Sequence, residues 1–391
     1  MTLVSELHEN GEESNYSGVI YLDYMNAFGT VNLKILLTKL KSAGLSNNLI
    51  KWFNSYLYKR QIIVREGEVE SNLYDTVAGV GAGSNLGPLL YSIFINDLPK
   101  IFIDNCTVGM YCDDVRVTVK AKTEVELISQ LNDKLDKLCI WSKQNKAVIS
   151  TKKSFWMLYR TTRMTHFEAD LQHEDTIIKQ TNQFTYLGIR TEETLTYNLQ
   201  YDYVLNSMIS RIKQISRYKR NFNFKQLKIF SSSLVLSLLD YCLPIWGFIC
   251  KSKISRLDDL IIRMIENVIL SRRVNHDEKW KVLELCNILN VEERRNVYAL
   301  EFVYKHVFSD SRLSSTMRDI FKFRNCSRDL RDNNKLEIPN FKKTFGQNSP
   351  HFQIIQLWND LPFNVKDLKR FHEFSREIRQ FYMLKRPDFY R

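Results

Sequence analysis

The first two hundred residues alternate short apolar runs with longer amphipathic segments. Runs rich in β-branched and aromatic residues predict strands, and apolar residues at spacings of three and four predict helices. The predicted strands are residues 19–22, 62–64, 108–111 and 115–119, and the predicted helices are residues 33–43, 47–57, 86–96 and 123–145. Because these elements follow no regular strand–helix–strand repeat, they favour an α+β fold with a mainly antiparallel sheet.

The segment 123–145 has the clearest helical periodicity. Its apolar residues return about every 3.6 positions, which predicts one buried stripe along the helix. The residues assigned to this stripe are Val125, Leu127, Ile128, Leu131, Leu135, Leu138 and Ile140.

Beyond residue 200 the pattern is helical to about residue 310, then rich in loops, with a last helix near 366–385. We therefore expect a polar leader (1–17), an α+β domain (18–200), a helical domain (201–275) and a C-terminal helical and loop region (276–391). The longest apolar stretch, residues 234–250, contains Asp240 and Pro244 and has 17 residues. It predicts a buried core helix with its exit turn rather than a membrane span.

The composition narrows the class of protein. The chain has 56 Lys and Arg against 44 Asp and Glu, a formal net charge of +12, which suits nucleic acid as a partner better than a membrane. Its 13 Gly and 7 Pro are few for an all-β protein. The seven cysteines include no C-x-x-C pair, so nothing signals a zinc knuckle or a disulfide framework. The polar N-terminus is unlike a signal peptide, so we expect an intracellular protein of the cytoplasm, the nucleus or both.

Three carboxylates carry the most chemical information. Asp23 follows the predicted strand 19–22, and Asp113 and Asp114 lie at the tip of the predicted hairpin 108–119. Neighbouring strands could bring Asp23 beside Asp113, where the charges repel unless a divalent cation neutralises them. Two Mg²⁺ ions on such acids could support phosphoryl transfer. An Asp-Asp pair is also ordinary turn chemistry, and a metal-dependent phosphohydrolase would use the same acids, so these residues alone leave the alternatives open.

Five segments resemble, in family order, the motifs of reverse transcriptases of non-LTR retrotransposons. Residues 22–32 resemble L-D-x-x-x-A-F-D-x-V, residues 79–89 resemble G-V-P-Q-G-S-x-L-G-P, and residues 111–114 resemble [YF]-A-D-D. Residues 145–146 with 152–153 resemble N-K…K-T, and residues 186–189 resemble the primer-grip Y-L-G motif.

The resemblance continues to about residue 385. Residues 239–247 resemble the thumb sequence L-x-Y-x-x-x-I-W-G, residues 292–295 resemble an L-E-E-R-R helix, and residues 345–346 and 357–362 resemble the tail of jockey-like elements. The family implies a right-hand polymerase palm, with an antiparallel sheet and helices, followed by a helical thumb. It implies an RNA-directed DNA polymerase that extends a DNA primer on an RNA template with deoxynucleoside triphosphates.

The resemblance assigns roles to individual residues around the carboxylates. Asp23 and Asp113 would bind two Mg²⁺ ions, or Mn²⁺, and Asp114 would support them. Phe28 would exclude the 2′-hydroxyl of an incoming nucleotide, although an aromatic residue there could equally belong to the core. Lys153 would assist the departure of pyrophosphate, or would be an ordinary surface lysine.

Further assignments concern the nucleotide, the primer and the template. Gly83 and Ser84 would begin a segment under the nucleotide, or form a turn in which Ser84 caps the next helix. The primer end would contact Tyr186, Leu187 and Gly188, which could also be a simple hairpin turn. Basic residues interleaved with aromatics such as Tyr201 and Tyr218 would contact phosphates, or would form a solvated helix face. They are Arg211, Lys213, Arg217, Lys219 and Arg220.

Three departures from the family pattern favour an alternative, a decayed element copy that only binds nucleic acid. The second acid of A-F-D is Gly29, and the Pro-Gln pair of G-V-P-Q-G is Gly81-Ala82. The short segment 1–17 resembles no fingers region, so we expect the fingers to be missing, together with an endonuclease domain. The tail lacks the carboxylate clusters of a ribonuclease H domain.

Overall fold

The computed structural model describes residues 1–81, 83–102, 106–308, 320–324 and 334–386. The chain forms two compact units. Residues Ser14–Asn182 are called the sheet unit here, and Met1–Glu13 together with Gln183–Arg391 are called the helical unit. The first helix, α1 (Thr2–Glu12), precedes the sheet unit in sequence but belongs to the helical unit. The domain boundaries expected at residues 17, 200 and 275 stay predictions.

The sheet unit contains four helices and ten strands within its described residues. Its helices are α2 (Leu33–Ser42), α3 (Asn47–Leu57), α4 (Gly87–Ile95) and α5 (Glu124–Asn145), with a 3₁₀ turn at Leu98–Ile101. Its strands are β1 (Tyr16–Leu22), β2 (Gln61–Ile62), β3 (Arg65–Glu66), β4 (Val69–Glu70), β5 (Tyr74–Asp75), β6 (Cys106–Tyr111), β7 (Asp114–Ala121), β8 (Phe155–Tyr159), β9 (Leu171–His173) and β10 (Thr176–Thr181).

Six of these strands form one sheet in the order β6-β7-β1-β8-β10-β9. All neighbours are antiparallel except β8 and β10, which confirms the predicted α+β class with a mainly antiparallel sheet. Two-stranded pairs β2–β5 and β3–β4 lie outside this sheet. The strand predicted at 62–64 is only the short β2, because both of its residues are exposed and neither is held by a core.

The core of the sheet unit lies between the sheet and its helices. Ile20 and Leu22 of β1 pair with Val117 and Val115 of β7, and all four are buried on the face that α5 covers. Gly18 completes this face, because a Cβ there would lie 2.6 Å from Leu131 Cδ1 of α5. The small residue therefore lets the helix approach the sheet closely.

Two residues assigned to the buried stripe of α5 are instead exposed. Val125 is 80% exposed and Ile140 is 50% exposed, whereas Leu131 and Leu135 are fully buried. At 100° per residue, Val125 lies about 120° and Ile140 about 180° around the helix from Leu131. Both therefore point away from the sheet, and the prediction was wrong for these two positions.

Within its described residues, the helical unit contains one hairpin of two strands and many helices. Its strands are β11 (Gln183–Tyr186) and β12 (Ile189–Glu192). Its helices after α1 are α6 (Asn198–Tyr218), α7 (Phe224–Phe230), α8 (Ser237–Asp240), α9 (Leu243–Trp246), α10 (Lys251–Met264), α11 (Lys279–Leu285), α12 (Val291–Phe308), α13 (Thr344–Gln347), α14 (Pro350–Asn359), α15 (Phe363–Lys366) and α16 (Phe371–Leu384). Turns of 3₁₀ helix are Lys219–Asn221 and His276–Glu278, and turns of π-helix are Ser231–Leu236 and Ile265–Leu270.

The helical unit confirms the predicted helical pattern and corrects one element. The apolar stretch 234–250 is not one core helix, because the chain breaks after α8, where Cys242 has a φ of 52°, and restarts at α9. Pro244 lies in the first turn of α9, where its missing N–H costs no helical hydrogen bond. No described helix is both long enough and apolar enough to cross a bilayer.

Candidate active site

The three carboxylates of the sheet unit meet at one end of the sheet. β1 and β7 are antiparallel with Leu22 opposite Val115, so Asp23, the next residue, continues the register opposite Asp114. Asp113 belongs to the two-residue turn that joins β6 to β7, closed by the pairing of Tyr111 with Asp114. The sheet register therefore places the acids of two distant sequence motifs side by side.

The turn that carries Asp113 has an unusual backbone. Cys112, its first residue, has a φ of 57°, in the left-handed region that tight hairpin turns require. Most residues other than glycine avoid this region, and the strain is retained here at the tip that presents the carboxylates.

The charges of the three acids act on one another. Burial raises the pKa of Asp114, and the negative charges of Asp113 and Asp23 raise it further. A divalent cation would relieve this repulsion, and carboxylate oxygens are the ligands that Mg²⁺ prefers.

The three carboxylates supply only part of the ligands that a metal ion needs. Among the described residues, no group of three or more His, Cys, Asp or Glu side chains is placed to hold a metal ion by itself. Mg²⁺ is commonly held by one or two carboxylates together with substrate phosphates and water, so the donors present fit such an ion once a phosphate is bound.

Asp23 is fixed through its backbone to the segment before β8. Its N–H donates to Ser154 Oγ at 3.0 Å, and its carbonyl accepts from Ser150 N–H at 2.9 Å. The same turn presents Lys153, whose Nζ lies 3.8 Å from Asp23 Oδ2 while its side chain is 72% exposed. Lys153 is thus a surface lysine that is directed at the carboxylates.

The aromatic residue Phe28 lies beside a buried tyrosine. Its ring stacks on that of Tyr91 in α4, with centroids 4.8 Å apart and planes 28° apart. Phe28 is half-buried, whereas Tyr91 is 2% exposed. Phe28 is therefore neither a fully buried core residue nor an isolated surface ring.

The glycine-rich segment is tied to the loop that carries Phe28. Val80 N–H donates to the Phe28 carbonyl, and Gly79 N–H donates to the Val31 carbonyl, both at 2.9 Å. Gly79 has a φ of 89°, and a Cβ there would lie 2.7 Å from the Gly29 carbonyl oxygen. Only glycine allows this approach of two backbones.

Gly83 and Ser84 form the turn that starts α4. Ser84 Oγ accepts from Gly87 N–H at 2.9 Å and donates to the Gly81 carbonyl at 2.8 Å. This agrees with the simpler interpretation of Ser84 as a helix cap. Gly83 has a φ of 76°, and a Cβ there would have no neighbouring atom within 4 Å, so open space lies above it.

Two glycines that depart from the family pattern, Gly29 and Gly81, have local explanations. The position of a Cβ at Gly29 is taken by the Asn26 side chain, whose Nδ2 would lie 2.4 Å away. A Cβ at Gly81 would lie 3.0 Å from Arg60 Nη1. Other side chains have therefore occupied the space next to both glycines. Ala82 lies outside the described residues.

Arg60 is a residue of this site that no sequence pattern singled out. Its Nη2 donates to the Gly79 carbonyl at 2.5 Å, and its Nε donates to the Leu57 carbonyl at 3.2 Å. Its own carbonyl accepts from Thr76 N–H at 2.7 Å. The guanidinium thus joins the end of α3 to the glycine-rich segment.

The residues assigned to the primer form a hairpin turn in the helical unit. Leu187 and Gly188 join β11 to β12 with φ values of 46° and 77°, as the favoured two-residue hairpin turns require. Tyr241 Oη donates to the Leu187 carbonyl at 2.7 Å, so the turn is held in place. Tyr186 is the last residue of β11.

Four of the five basic residues assigned to nucleic acid are exposed along one continuous segment. Arg211, Lys213 and Arg217 lie on α6, and Arg220 lies in the 3₁₀ turn that follows. Lys219 instead donates from Nζ to the Asn267 carbonyl at 2.7 Å, which gives it a structural contact. Among the interleaved aromatics, Tyr218 is 63% exposed but Tyr201 is 3% exposed, so Tyr201 is a core residue.

The motifs of the thumb and tail contact one another within the helical unit. Arg294 donates from Nε and Nη2 to the two oxygens of Asp240 at 2.7 and 2.6 Å. Arg295 donates to the Gly247 carbonyl at 3.3 Å. Trp358 is fully buried and donates from Nε1 to the Asn334 carbonyl at 2.8 Å. These residues of the helical unit build its core.

Comparison with known proteins points to one family. Residues 1–191 match the family described as reverse transcriptase (RNA-dependent DNA polymerase). The RNA-directed DNA polymerase from mobile element jockey of Drosophila funebris is 26% identical over 271 residues, covering 66% of this chain and 29% of that protein. The probable RNA-directed DNA polymerase from transposon BS of Drosophila melanogaster is 25% identical over 258 residues, covering 64% and 28%. The chain thus spans less than a third of the length of these relatives.

Among solved structures, a telomerase from Candida albicans in complex with a fragment of telomeric RNA aligns with 79% of this chain and 50% of its own. The two are 11% identical, with a TM-score of 0.40, a likeness too low to support an argument.

Proposed function

We propose that this chain is the RNA-directed DNA polymerase domain of a non-LTR retrotransposon, because residues 1–191 match the reverse transcriptase family and the similar proteins are polymerases of mobile elements. It would extend a DNA primer on an RNA template with deoxynucleoside triphosphates. The observation that carries the proposal is the meeting of Asp23 with Asp113 and Asp114 at one end of the sheet. Such an enzyme would assemble with RNA in the cytoplasm and act at nuclear DNA.

We assign the metal ligands to the carboxylates. Reverse transcriptases generally use divalent metals, and Asp23 and Asp113 would hold two Mg²⁺ or Mn²⁺ ions, with Asp114 in support. When bound, the metals would stabilise the negative charge that develops on the attacking and departing oxygens. Burial raises the pKa of Asp114 most, and the charges of Asp113 and Asp23 raise it further; this repulsion supports the assignment, because a bound cation would remove it.

Lys153 would act on the leaving group. Its ammonium already lies 3.8 Å from Asp23 Oδ2 and is mostly exposed, so it can reach a phosphate bound beside that carboxylate. A positive charge at this point would stabilise the departing pyrophosphate.

Phe28 and the glycine-rich segment would select and seat the nucleotide. The ring of Phe28 would occupy the space that a 2′-hydroxyl needs, and so favour deoxynucleotides. Gly83 and Ser84 would place backbone close to the nucleotide, as the open space above Gly83 permits.

The helical unit would hold the nucleic acid. The turn Tyr186–Leu187–Gly188 would contact the primer end. The exposed Arg211, Lys213, Arg217 and Arg220 would contact phosphates of the template–primer duplex without reading its sequence. Lys219 would add its charge, although its ammonium already has a carbonyl partner.

Primer extension on an RNA template with Mg²⁺ tests the proposal. We expect the natural chain to incorporate deoxynucleotides and Asp113→Asn to lose about a thousandfold or more in rate, because several kcal/mol of charge stabilisation disappear. Asp133→Asn removes the same charge from the surface of α5 and serves as the matched control, with its rate unchanged.

Two results would contradict the proposal. One is incorporation that survives Asp113→Asn. The other is salt-sensitive RNA binding without any incorporation by the natural chain, which is the behaviour of a decayed copy that only binds nucleic acid.

A further inference from the structure

The ring of Phe28 is supported from within the sheet unit by Tyr91. The two rings stack with centroids 4.8 Å apart, and Tyr91 is 2% exposed on α4. Phe28 also packs against the core of the sheet unit, and its backbone carbonyl accepts from Val80 N–H at 2.9 Å. Because the Phe28 ring is only half-buried, its stack on Tyr91 contributes to its orientation.

Tyr91 is itself fixed by a row of aromatic residues. Its ring lies 6.3 Å from that of Phe94, and Phe94 lies 6.3 Å from Trp141 of α5 in an edge-to-face arrangement. All three are at most 3% exposed. The surface on which Phe28 stacks is therefore part of the rigid core rather than a mobile side chain.

Tyr91 also lies near the carboxylates. Burial raises the pKa of its hydroxyl, and the charges of Asp113 and Asp23 raise it further. A small void bordered by Tyr91, Ala27 and Val31 lies beside this row of aromatic residues. A smaller side chain at position 91 would enlarge this space, and the ring of Phe28 could then sink toward the core.

We propose that Tyr91 is a specificity-determining residue that acts through Phe28. It keeps the Phe28 ring from sinking toward the core, in the position where the ring excludes the 2′-hydroxyl of a ribonucleotide. This inference rests on the proposed polymerase function, because it concerns the choice between two nucleotides at that site. Tyr91 does not need to touch the nucleotide and is therefore a positioning residue.

Steady-state incorporation of dATP and ATP on one RNA template tests the inference. We expect Tyr91→Leu to lower the ratio of kcat/KM for dATP over ATP by about tenfold, the scale of a lost aromatic stack. The change should come from a lower KM for ATP, with kcat and KM for dATP nearly unchanged. Phe28→Val should change the ratio in the same direction and by more.

Two variants separate positioning from general damage to the core. Tyr91→Phe keeps the stack and should keep the natural ratio. Leu158→Ala removes a fully buried side chain from β8, outside the aromatic row, and should lower stability while leaving the ratio unchanged. If Tyr91→Leu does not fold, Tyr91→Met, which fills the volume without a ring, replaces it with the same expected result.

The outcomes distinguish this inference from the proposed function. An unchanged ratio in Tyr91→Leu, with discrimination intact in the natural chain, overturns the role of Tyr91 and leaves the polymerase proposal standing. If the natural chain incorporates nothing, equilibrium binding of dATP and ATP to its primer–template complex takes the place of kinetics. Equal preference for dATP in the natural chain and in Tyr91→Leu would then overturn the inference.

Discussion

Two groups of carboxylates, one in each unit of this protein, have opposite surroundings. In the sheet unit, Asp23, Asp113 and Asp114 lie at one end of the sheet, and the pKa of Asp114 is raised by burial and then by the charges of the other two. In the helical unit, Asp240 accepts two hydrogen bonds from Arg294. Glu293 likewise pairs with Arg386 at 2.6 Å, with both side chains 8% exposed.

This difference in surroundings distinguishes carboxylates that bind a ligand from carboxylates that stabilise the fold. Like charges held together cost stability and are retained where a ligand will neutralise them, whereas a buried charge with a complementary partner needs no ligand. Asp23 and Asp240 both lie in segments that resemble family motifs, so the motif alone does not distinguish them. Their partners in the fold do.

The largest effect on stability should come from breaking a pair in the helical unit. Arg294→Met leaves Asp240 without its cation, and we expect the free energy of unfolding of this unit to fall by about 3 kcal/mol. Asp113→Asn, by contrast, removes repulsion and should not destabilise the sheet unit. Urea unfolding of both variants measures the two changes, and a loss of stability in Asp113→Asn would contradict the comparison.

A buried histidine gives a pH-dependent test of the helical unit. Burial lowers the pKa of His8 to about 4, while its ring stacks on Phe345 with centroids 4.8 Å apart. The unfolded chain takes up a proton near pH 6.5 and the folded chain only near pH 4, so stability should fall between these values by roughly 3 kcal/mol.

Unfolding in urea at several pH values measures this slope. His351, whose pKa is also lowered by burial, contributes in the same direction, so the comparison is with His8→Phe, which keeps a ring beside Phe345. We expect the variant to show a shallower loss of stability on acidification. Identical slopes in the two proteins would show that His8 is not the group concerned.

A smaller effect on stability is expected at Arg60, a cation of the sheet unit that donates its hydrogen bonds to backbone carbonyls. Arg60→Ala removes the hydrogen bonds to Leu57 and Gly79, and we expect it to cost about 1–2 kcal/mol. Thermal unfolding measures the change, with Arg163→Ala on an exposed loop as the control. Equal stability of the two variants would mean that Arg60 does not hold the glycine-rich segment.

Local sequence predicts the strand ends that carry the acids, whereas the pairing of β1 with β7 that brings them together could only be assumed. Asp23 directly follows an apolar strand, and Asp113 lies in a two-residue turn between two others, so their proximity needs only that these strands be neighbours. The hairpin at Leu187 and Gly188 was likewise visible as a short turn motif.

Contacts between distant segments could not be predicted in this way. Arg60 meets Gly79 across the short strands β2–β5, and no periodicity specifies that meeting. Tyr91 lies on α4, a helix so apolar that its sequence does not show which residue faces Phe28. The helix α1 was missed because tertiary contacts support it, including Glu12 accepting from the N–H groups of Lys342 and Lys343.

Titration with Mg²⁺ while the unfolding temperature is recorded tests most directly whether Asp23 and Asp113 form a cation site. An ion that binds only the folded chain raises this temperature, and the rise continues with the logarithm of the ion concentration above the Kd. We expect Mg²⁺, added with a deoxynucleoside triphosphate, to stabilise the natural chain. The double variant Asp23→Asn with Asp113→Asn should be at least as stable without Mg²⁺ and should not respond to it. An equal rise in both proteins would contradict the assignment of these carboxylates as metal ligands.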